Sequence, residues 1–213
     1  GLAGPRIILI DAGLSPRRTR RTLESMGLSL DAVDSVLITH LDQDHWKPTW
    51  ITALPSHVTI HLHRTHAGLG RHQGLTRGRV SVFDHPLELM PGVRADPFSV
   101  PHDEHGAISF RFGLQSGDLR ASLGFATDLG HAGDDLIAHL RGVDVLAIES
   151  NYCPRMQEAS SRPWSLKRRI MGGAGHLSNQ QCVQAVEAYI HAGLPADAAA
   201  ILLVEVAGPV HGV

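Results

Sequence analysis

The segment Val36-Leu37-Ile38-Thr39-His40-Leu41-Asp42-Gln43-Asp44-His45 places four potential metal ligands, His40, Asp42, Asp44 and His45, within six residues at the end of an apolar run. A strand sends successive side chains to opposite faces, so it would scatter these groups; a tight loop after it gathers them on one point. Imidazole and carboxylate without thiolate suit zinc, manganese or iron. A polar turn capped by Asp44 would need one aspartate, not the whole set. Three later residues have comparable surroundings: His102 in Ser99-Val100-Pro101-His102-Asp103, Asp128 in Gly124-Phe125-Ala126-Thr127-Asp128, and His176 in Gly172-Gly173-Ala174-Gly175-His176-Leu177-Ser178-Asn179. Each ends an expected element beside glycine, proline or a capping residue, where a rigid scaffold can aim a ligand.

Fifteen histidines against two lysines, Lys47 and Lys167, fit the same chemistry, because neutral imidazole is the commonest metal ligand near neutral pH. The chain of 213 residues is 43% apolar and 19% charged, which predicts one globular domain over 1–213 and excludes wholesale disorder. A net charge of −2 excludes a globally basic nucleic-acid coat while leaving room for a local basic patch. Cys153 and Cys182 form neither a disulfide framework nor a C-x-x-C pair. The longest apolar run, near Ile201–Val206, is too short for a bilayer, and no signal-like opening is visible, so a cytoplasmic location is expected. The sequence sets no oligomeric state.

The elements expected to position the ligands follow from periodicity and punctuation. Ile7–Asp11, Ser35–Thr39, Val58–His63, Arg79–Phe83, Leu87–Leu89, Phe98–Val100, Ile108–Phe112, Leu119–Ala126, Val143–Ile148 and Ile201–Val206 read as strands. Alternation in Val58–His63 predicts a half-exposed strand face carrying His61 and His63. Ser15-Pro16 opens a helix to about Met26, closed by Gly27. Asp134–Arg141 is a second helix, and Ser178 caps a third to about Ala192, with Cys182, Val183, Val186 and Ile190 at helical spacing. The mixture without strict strand–helix alternation predicts a layered α/β or α+β sandwich.

With His40, Asp44, His45, His102, Asp128 and His176 in this order, the chain resembles the metallo-β-lactamase superfamily of metallohydrolases, whose motif is H-x-H-x-D-H followed by a distant His, an Asp and a final His. It looks closest to the YycJ-like (WalJ-like) branch, through Leu9–Ser15, Ile148–Tyr152, Leu166–Ile170 and Gly175–Asn179. The resemblance implies an α/β fold, a metallo-β-lactamase-like αββα four-layer sandwich. It implies two divalent metal ions, zinc first and manganese or iron as alternatives, and a hydrolase using a metal-bound hydroxide. His40, Asp42 and His102 would hold one ion; Asp44, His45 and His176 the other; Asp128 would bridge them, with Asp44 also orienting the nucleophile.

Three features depart from that pattern. Asp42 replaces the second motif histidine, an oxygen donor that adds negative charge to the first site, favours harder metals and leaves one site open to weak occupancy. The glycine- and serine-rich opening strand expected before Ile7 is missing, which reads as either an incomplete or a shortened form. Glu205 stands where relatives have a histidine, with His211 as a substitute.

Around the ligands, Asp11 is expected either to orient an imidazole or to end a strand, and Glu149 to be either a buried acid supporting the site or an ordinary loop acid. Lys167, Arg168 and Arg169, with Asn151 and Tyr152, are the expected substrate-binding residues, since arginine forks bind phosphate oxygens. Arg162 and Trp164 would add a phosphate contact and a base-stacking surface. Arg17-Arg18-Thr19-Arg20-Arg21 reads as a solvated helix face. The expected activity is a phosphodiesterase or nuclease on DNA or RNA, with catalytic roles for Asp44 and Asp128. The alternatives are an ester, thioester or lactone hydrolase on the same centre, and a non-catalytic member that binds a partner.

Overall fold

The computed structural model describes residues 6–76, 78–193 and 199–203, within two compact units, residues 1–89 and 90–213. In the first unit, β1 (Ile7–Ile10), β2 (Val33–Ile38), β3 (Thr59–His63) and β4 (Val80–Phe83) form a parallel sheet in the order β1-β2-β3-β4. β2 reads Val-Asp-Ser-Val-Leu-Ile, and its neighbours Val36 and Leu37, which point to opposite faces, are both fully buried. That is the near-continuous apolar run of an inner parallel strand. The adjoining core takes Leu23, Trp46, Trp50, Val58, Ile60 and Leu62, the four aliphatic members each worth roughly 1.5–3 kcal/mol when fully removed from water.

Helix α1 (Pro16–Ser25) starts where expected, with Ser15 Oγ accepting the Arg18 amide at 3.4 Å and Pro16 in the first turn. It ends before Gly27, whose φ of 72° breaks the helix. Only Leu23 of α1 is buried, and Arg17, Arg18, Arg20 and Arg21 form the expected solvated face. Short helices α2 (Trp50–Ala53) and α3 (Ala67–His72) flank β3. The half-exposed face expected for β3 is found only at its ends: Thr59 and His63 are partly buried, but His61 between them is buried, and His66 just beyond is fully so. β3 is paired on both sides, to β2 and β4, and such an inner strand keeps little solvent on either face.

The second sheet runs β10-β9-β8-β7-β6-β5, from β5 (Leu87–Met90), β6 (Val93–Val100), β7 (Ala107–Ser116), β8 (Leu119–Ala126), β9 (Val145–Glu149) and β10 (Ala199–Leu203). β6, β7 and β8 are antiparallel, while β8, β9 and β10 are parallel. Parallel neighbours need crossover connections, here α4 (Asp134–His139), then α5 (Pro154–Ala159), α6 (Trp164–Ile170) and α7 (Asn179–His191). β6 begins five residues earlier than expected, at Val93, because Arg94, Asp96 and Pro97 disguise its alternation. The last strand ends at Leu203; positions 204–206 of the expected strand lie outside the described residues.

Ser178 caps α7 in a reciprocal box, Oγ accepting the Gln181 amide at 3.2 Å while Gln181 Oε1 accepts the Ser178 amide at 2.9 Å. The stripe it buries differs from the expected one. Cys182, Ala185 and Tyr189 face the core, whereas Val183 and Ile190 are exposed. Small Ala185 lets the helix approach closely, and Tyr189 supplies the bulk that hydropathy alone assigns to Ile190. Helices α5 and α6 have no apolar periodicity and were not expected from sequence.

Candidate metal centre

In the first unit the ligand-rich loop leaves the end of β2 and is pinned to the turn that follows β1. The Asp11 amide donates to Leu37 O at 2.8 Å, and the Ala12 amide to His45 O at 2.7 Å. Gly13 lies so close to the loop that a Cβ there would sit 1.4 Å from Asp44 O. Only glycine permits that approach. The amides of His45 and Trp46 both donate back to Asp42 O, at 2.9 and 2.8 Å, folding Asp42, Asp44 and His45 into one tight turn.

Asp11 then fixes the imidazoles. Its Oδ1 accepts the Thr39 amide and its Oδ2 the Thr39 hydroxyl, both at 2.7 Å, and Oδ2 lies 2.8 Å from His45 Nδ1. With the Thr39 proton given to Asp11, Thr39 Oγ1 accepts from His40 Nδ1 at 3.0 Å. This network assigns the proton of both rings to Nδ1 and the lone pair to Nε2, the form in which imidazole binds a metal. The two rings are buried, with centroids 4.0 Å apart. Asp42 is partly buried and Asp44 exposed.

The second unit gathers the other three expected ligands. His102, Asp128 and His176 each offer a donor atom within 4.8 Å of the others. Asp128 Oδ1 lies 3.6 Å from His102 Nε2 and 3.6 Å from His176 Nδ1. His102 Nδ1 meets Gly175 O at 3.0 Å, which turns Nε2 toward Asp128. His176 Nδ1 meets Glu149 Oε2 at 3.1 Å. Glu149 ends β9 fully buried, and its two oxygens also accept the amides of Asp128, Leu129 and Leu177, at 3.2, 2.7 and 2.8 Å. One carboxylate therefore ties three segments of the chain to the ligand cluster. Of the two readings of Asp11 and Glu149, the supporting one holds for both.

Asp11, Asp103 and Asp128, at φ of 61°, 40° and 56°, are the non-glycine residues with left-handed backbone among those described. Aspartate tolerates that region better than most residues, because its short side chain can bond locally. Asp103 was not anticipated. Its carboxylate takes a two-pronged ion pair from Arg169, through Nε at 2.9 and 3.0 Å and through Nη2, and the guanidinium holds this carboxyl below its ordinary range. Its amide donates to Ala174 O at 2.8 Å, and the His176 amide to Ile170 O at 2.9 Å. A Cβ on Gly175 would come within 2.1 Å of Arg169 O. The end of α6, the glycine loop and the His102–Asp103 turn are thus locked together.

The expected substrate residues divide. Arg169 is committed to Asp103, and Lys167 Nζ donates to Glu158 O at 2.6 Å. Arg168 is exposed, with no side-chain partner among the described residues. Asn151 and Tyr152 serve through their backbones, the Asn151 amide donating to Leu177 O and Tyr152 O accepting the Asn179 amide. Burial, with the Glu149 charge, raises the Tyr152 hydroxyl above its ordinary value. Glu205 and His211 lie outside the described residues. The glycines and Thr39 are what sequence reasoning missed; the Asp-Ala-Gly turn was the one available signal.

Residues 6–194 match the family model described as a beta-lactamase superfamily domain. The exodeoxyribonuclease YycJ of Bacillus anthracis is 24% identical over 182 residues, 84% of this chain and 67% of that protein. A diphosphatase of the PhnP family has a similar fold, with a TM-score of 0.56 at 20% identity, over 85% of this chain and 64% of that one. The short form of human tRNase Z matches with a TM-score of 0.61 at 15% identity, over 95% of this chain and 82% of that one. This chain therefore spans about two thirds of the length of the first two. The fold is α/β and metallo-β-lactamase-like.

Proposed function

The chain belongs to the beta-lactamase superfamily domain family, and from that premise we propose that it is a metal-dependent phosphodiesterase, a nuclease on DNA or RNA. The observation that carries this reading is the triad of His102, Asp128 and His176, with donor atoms within 4.8 Å and one imidazole steered by Glu149. The donor chemistry fits divalent metal: buried imidazoles with Nδ1 engaged, and carboxylates, without thiolate. The similarity to an exodeoxyribonuclease and, in fold, to a diphosphatase and tRNase Z supports a phosphorus substrate.

In this reading His102, Asp128 and His176 of the second unit would hold divalent metal, and His40, Asp42, Asp44 and His45 of the first unit would offer further donors. Zinc is the first choice; Asp42, an oxygen donor, makes manganese or iron fit as well. Bound divalent metal supplies Lewis acidity and a nucleophile at neutral pH. The protein's own part is to keep the ring lone pairs aimed, through Asp11 and Glu149, and to exclude water behind them. Arg168 offers a charge for a phosphate, and Asp44 would orient the attacking group. The whole chain acts as one catalytic domain. The free Cys153 and Cys182 suit the reducing cytoplasm, and among the described residues no helix is long and apolar enough to cross a membrane.

The test is hydrolysis of bis(p-nitrophenyl) phosphate and of labelled DNA and RNA by metal-loaded protein. Asp128→Ala should lower turnover at least about a hundredfold. Turnover of neutral esters or lactones in preference to diesters would transfer the site to acyl chemistry. Metal content well below one equivalent in the folded parent would point to a binding protein.

A further inference from the structure

Residues 154–170, which form α5 and α6, carry Arg155, Arg162, Lys167, Arg168 and Arg169 against one acid, Glu158. Three of the five cations are engaged: Arg162 with Gln157 Oε1, Lys167 with Glu158 O, and Arg169 with Asp103. Arg155 and Arg168 are exposed, and their guanidinium groups have no partner among the described residues. Between them stands an unusual side chain for a surface. Trp164 opens α6 at 68% exposure, and Met156 on α5 is 74% exposed. The other two tryptophans, Trp46 and Trp50, are buried, as a large indole normally is.

Trp164 and Arg168 are four residues apart on one helix and so share a face. From Trp164 to Ile170, whose carbonyl receives the His176 amide, the helix rises about 9 Å, roughly three stacked base steps of 3.4 Å. We propose that Trp164 and Arg168 form a stacking platform that receives an unpaired base and its phosphate from a single-stranded nucleic acid. This deepens the phosphodiesterase reading and rests on it. The charge selects a polyanion, and the bare indole selects one with free π faces. Inside a duplex both faces of a base are covered by its neighbours, so the platform discriminates in favour of single strands and frayed ends.

The arrangement also supplies its own probe. With Trp46 and Trp50 buried, the solvent-quenchable emission comes from Trp164. Protein as purified is titrated with a hydrolysis-resistant phosphorothioate (dT)8, an abasic oligomer of the same length, and a blunt hairpin of equal charge. The (dT)8 should quench emission saturably, and the other two should not. By anisotropy of labelled (dT)8, Trp164→Ala should weaken binding about tenfold and Trp164→Phe much less. Arg168→Ala should lower the salt slope of binding by about 0.7. Equal quenching by the abasic oligomer, equal binding of the hairpin, or an unaffected Trp164→Ala would each overturn the platform. Diester hydrolysis by the same parent sample is scored separately, so the platform and the phosphodiesterase reading fail independently.

Discussion

Glu149 and His176 are joined by a 3.1 Å hydrogen bond between Oε2 and Nδ1, and the same buried carboxylate accepts the amides of Asp128, Leu129 and Leu177. Ligand orientation and local folding thus depend on one side chain. Glu149→Gln brings an amide NH2 among four donors and should cost about 10- to 100-fold in metal affinity, read by competition with a chelating dye. Glu149→Ala orphans buried amides as well and should lower unfolding free energy by about 3 kcal/mol or more in urea titration. Equal affinity in parent and Glu149→Gln would show that the carboxylate is structural only.

Asp11 has the corresponding place in the first unit, through Thr39 and His45. Asp11→Asn keeps the left-handed backbone but loses acceptor capacity. Metal affinity is expected to drop by about tenfold or more, with a smaller drop for Thr39→Val, which removes the acceptor of His40 Nδ1 and one bond to Asp11 but leaves the Asp11–His45 pair in place. Isothermal titration of zinc into the two variants checks the order.

Gly13→Ala should be far more damaging than its chemistry suggests, because the added carbon would lie 1.4 Å from Asp44 O. The loop must move away from the turn. A loss above about 3 kcal/mol, or failure to fold, is expected, with metal binding lost in any folded fraction. Thermal melts of Gly13→Ala near the parent value would refute the close approach.

Acid sensitivity should have one source far from the ligands in sequence. Burial of His61 lowers its proton affinity below the ordinary 6.5, and its Nδ1 has no hydrogen-bond partner among the described residues. The unfolded chain therefore binds the proton more readily. This contribution to stability is intact above about pH 6.5 and is lost as the pH falls toward the folded value. His61→Leu should flatten the decline between about pH 6.5 and 5 and raise stability at pH 7 by about 1 kcal/mol. Urea midpoints across that range decide it.

The candidate ligands were legible because few residue types can hold a metal. His40, His102 and Asp128 stand at element ends, and the apolar runs beside them read as strands. What supports them was less legible. Backbone carbonyls such as Gly175 O have no sequence signature, and a glycine wedged against a carbonyl looks like any turn glycine. Arg169 illustrates the limit: in sequence it is one of three adjacent cations, and its pairing with Asp103, 66 positions away, depends on a turn that only the fold creates. His61 failed for a related reason, since alternation along a strand cannot reveal that both of its edges are paired.

Left-handed aspartates at 11, 103 and 128 place two demands on one residue. Asparagine satisfies the backbone but exchanges for an amide NH2 one of the oxygens that face His45 at Asp11, Arg169 at Asp103, and His102 and His176 at Asp128. Glutamate keeps the charge but pays about 1–2 kcal/mol for the conformation. Each single change therefore gives up one of the two properties that aspartate combines at these positions: the left-handed backbone or the charged acceptor.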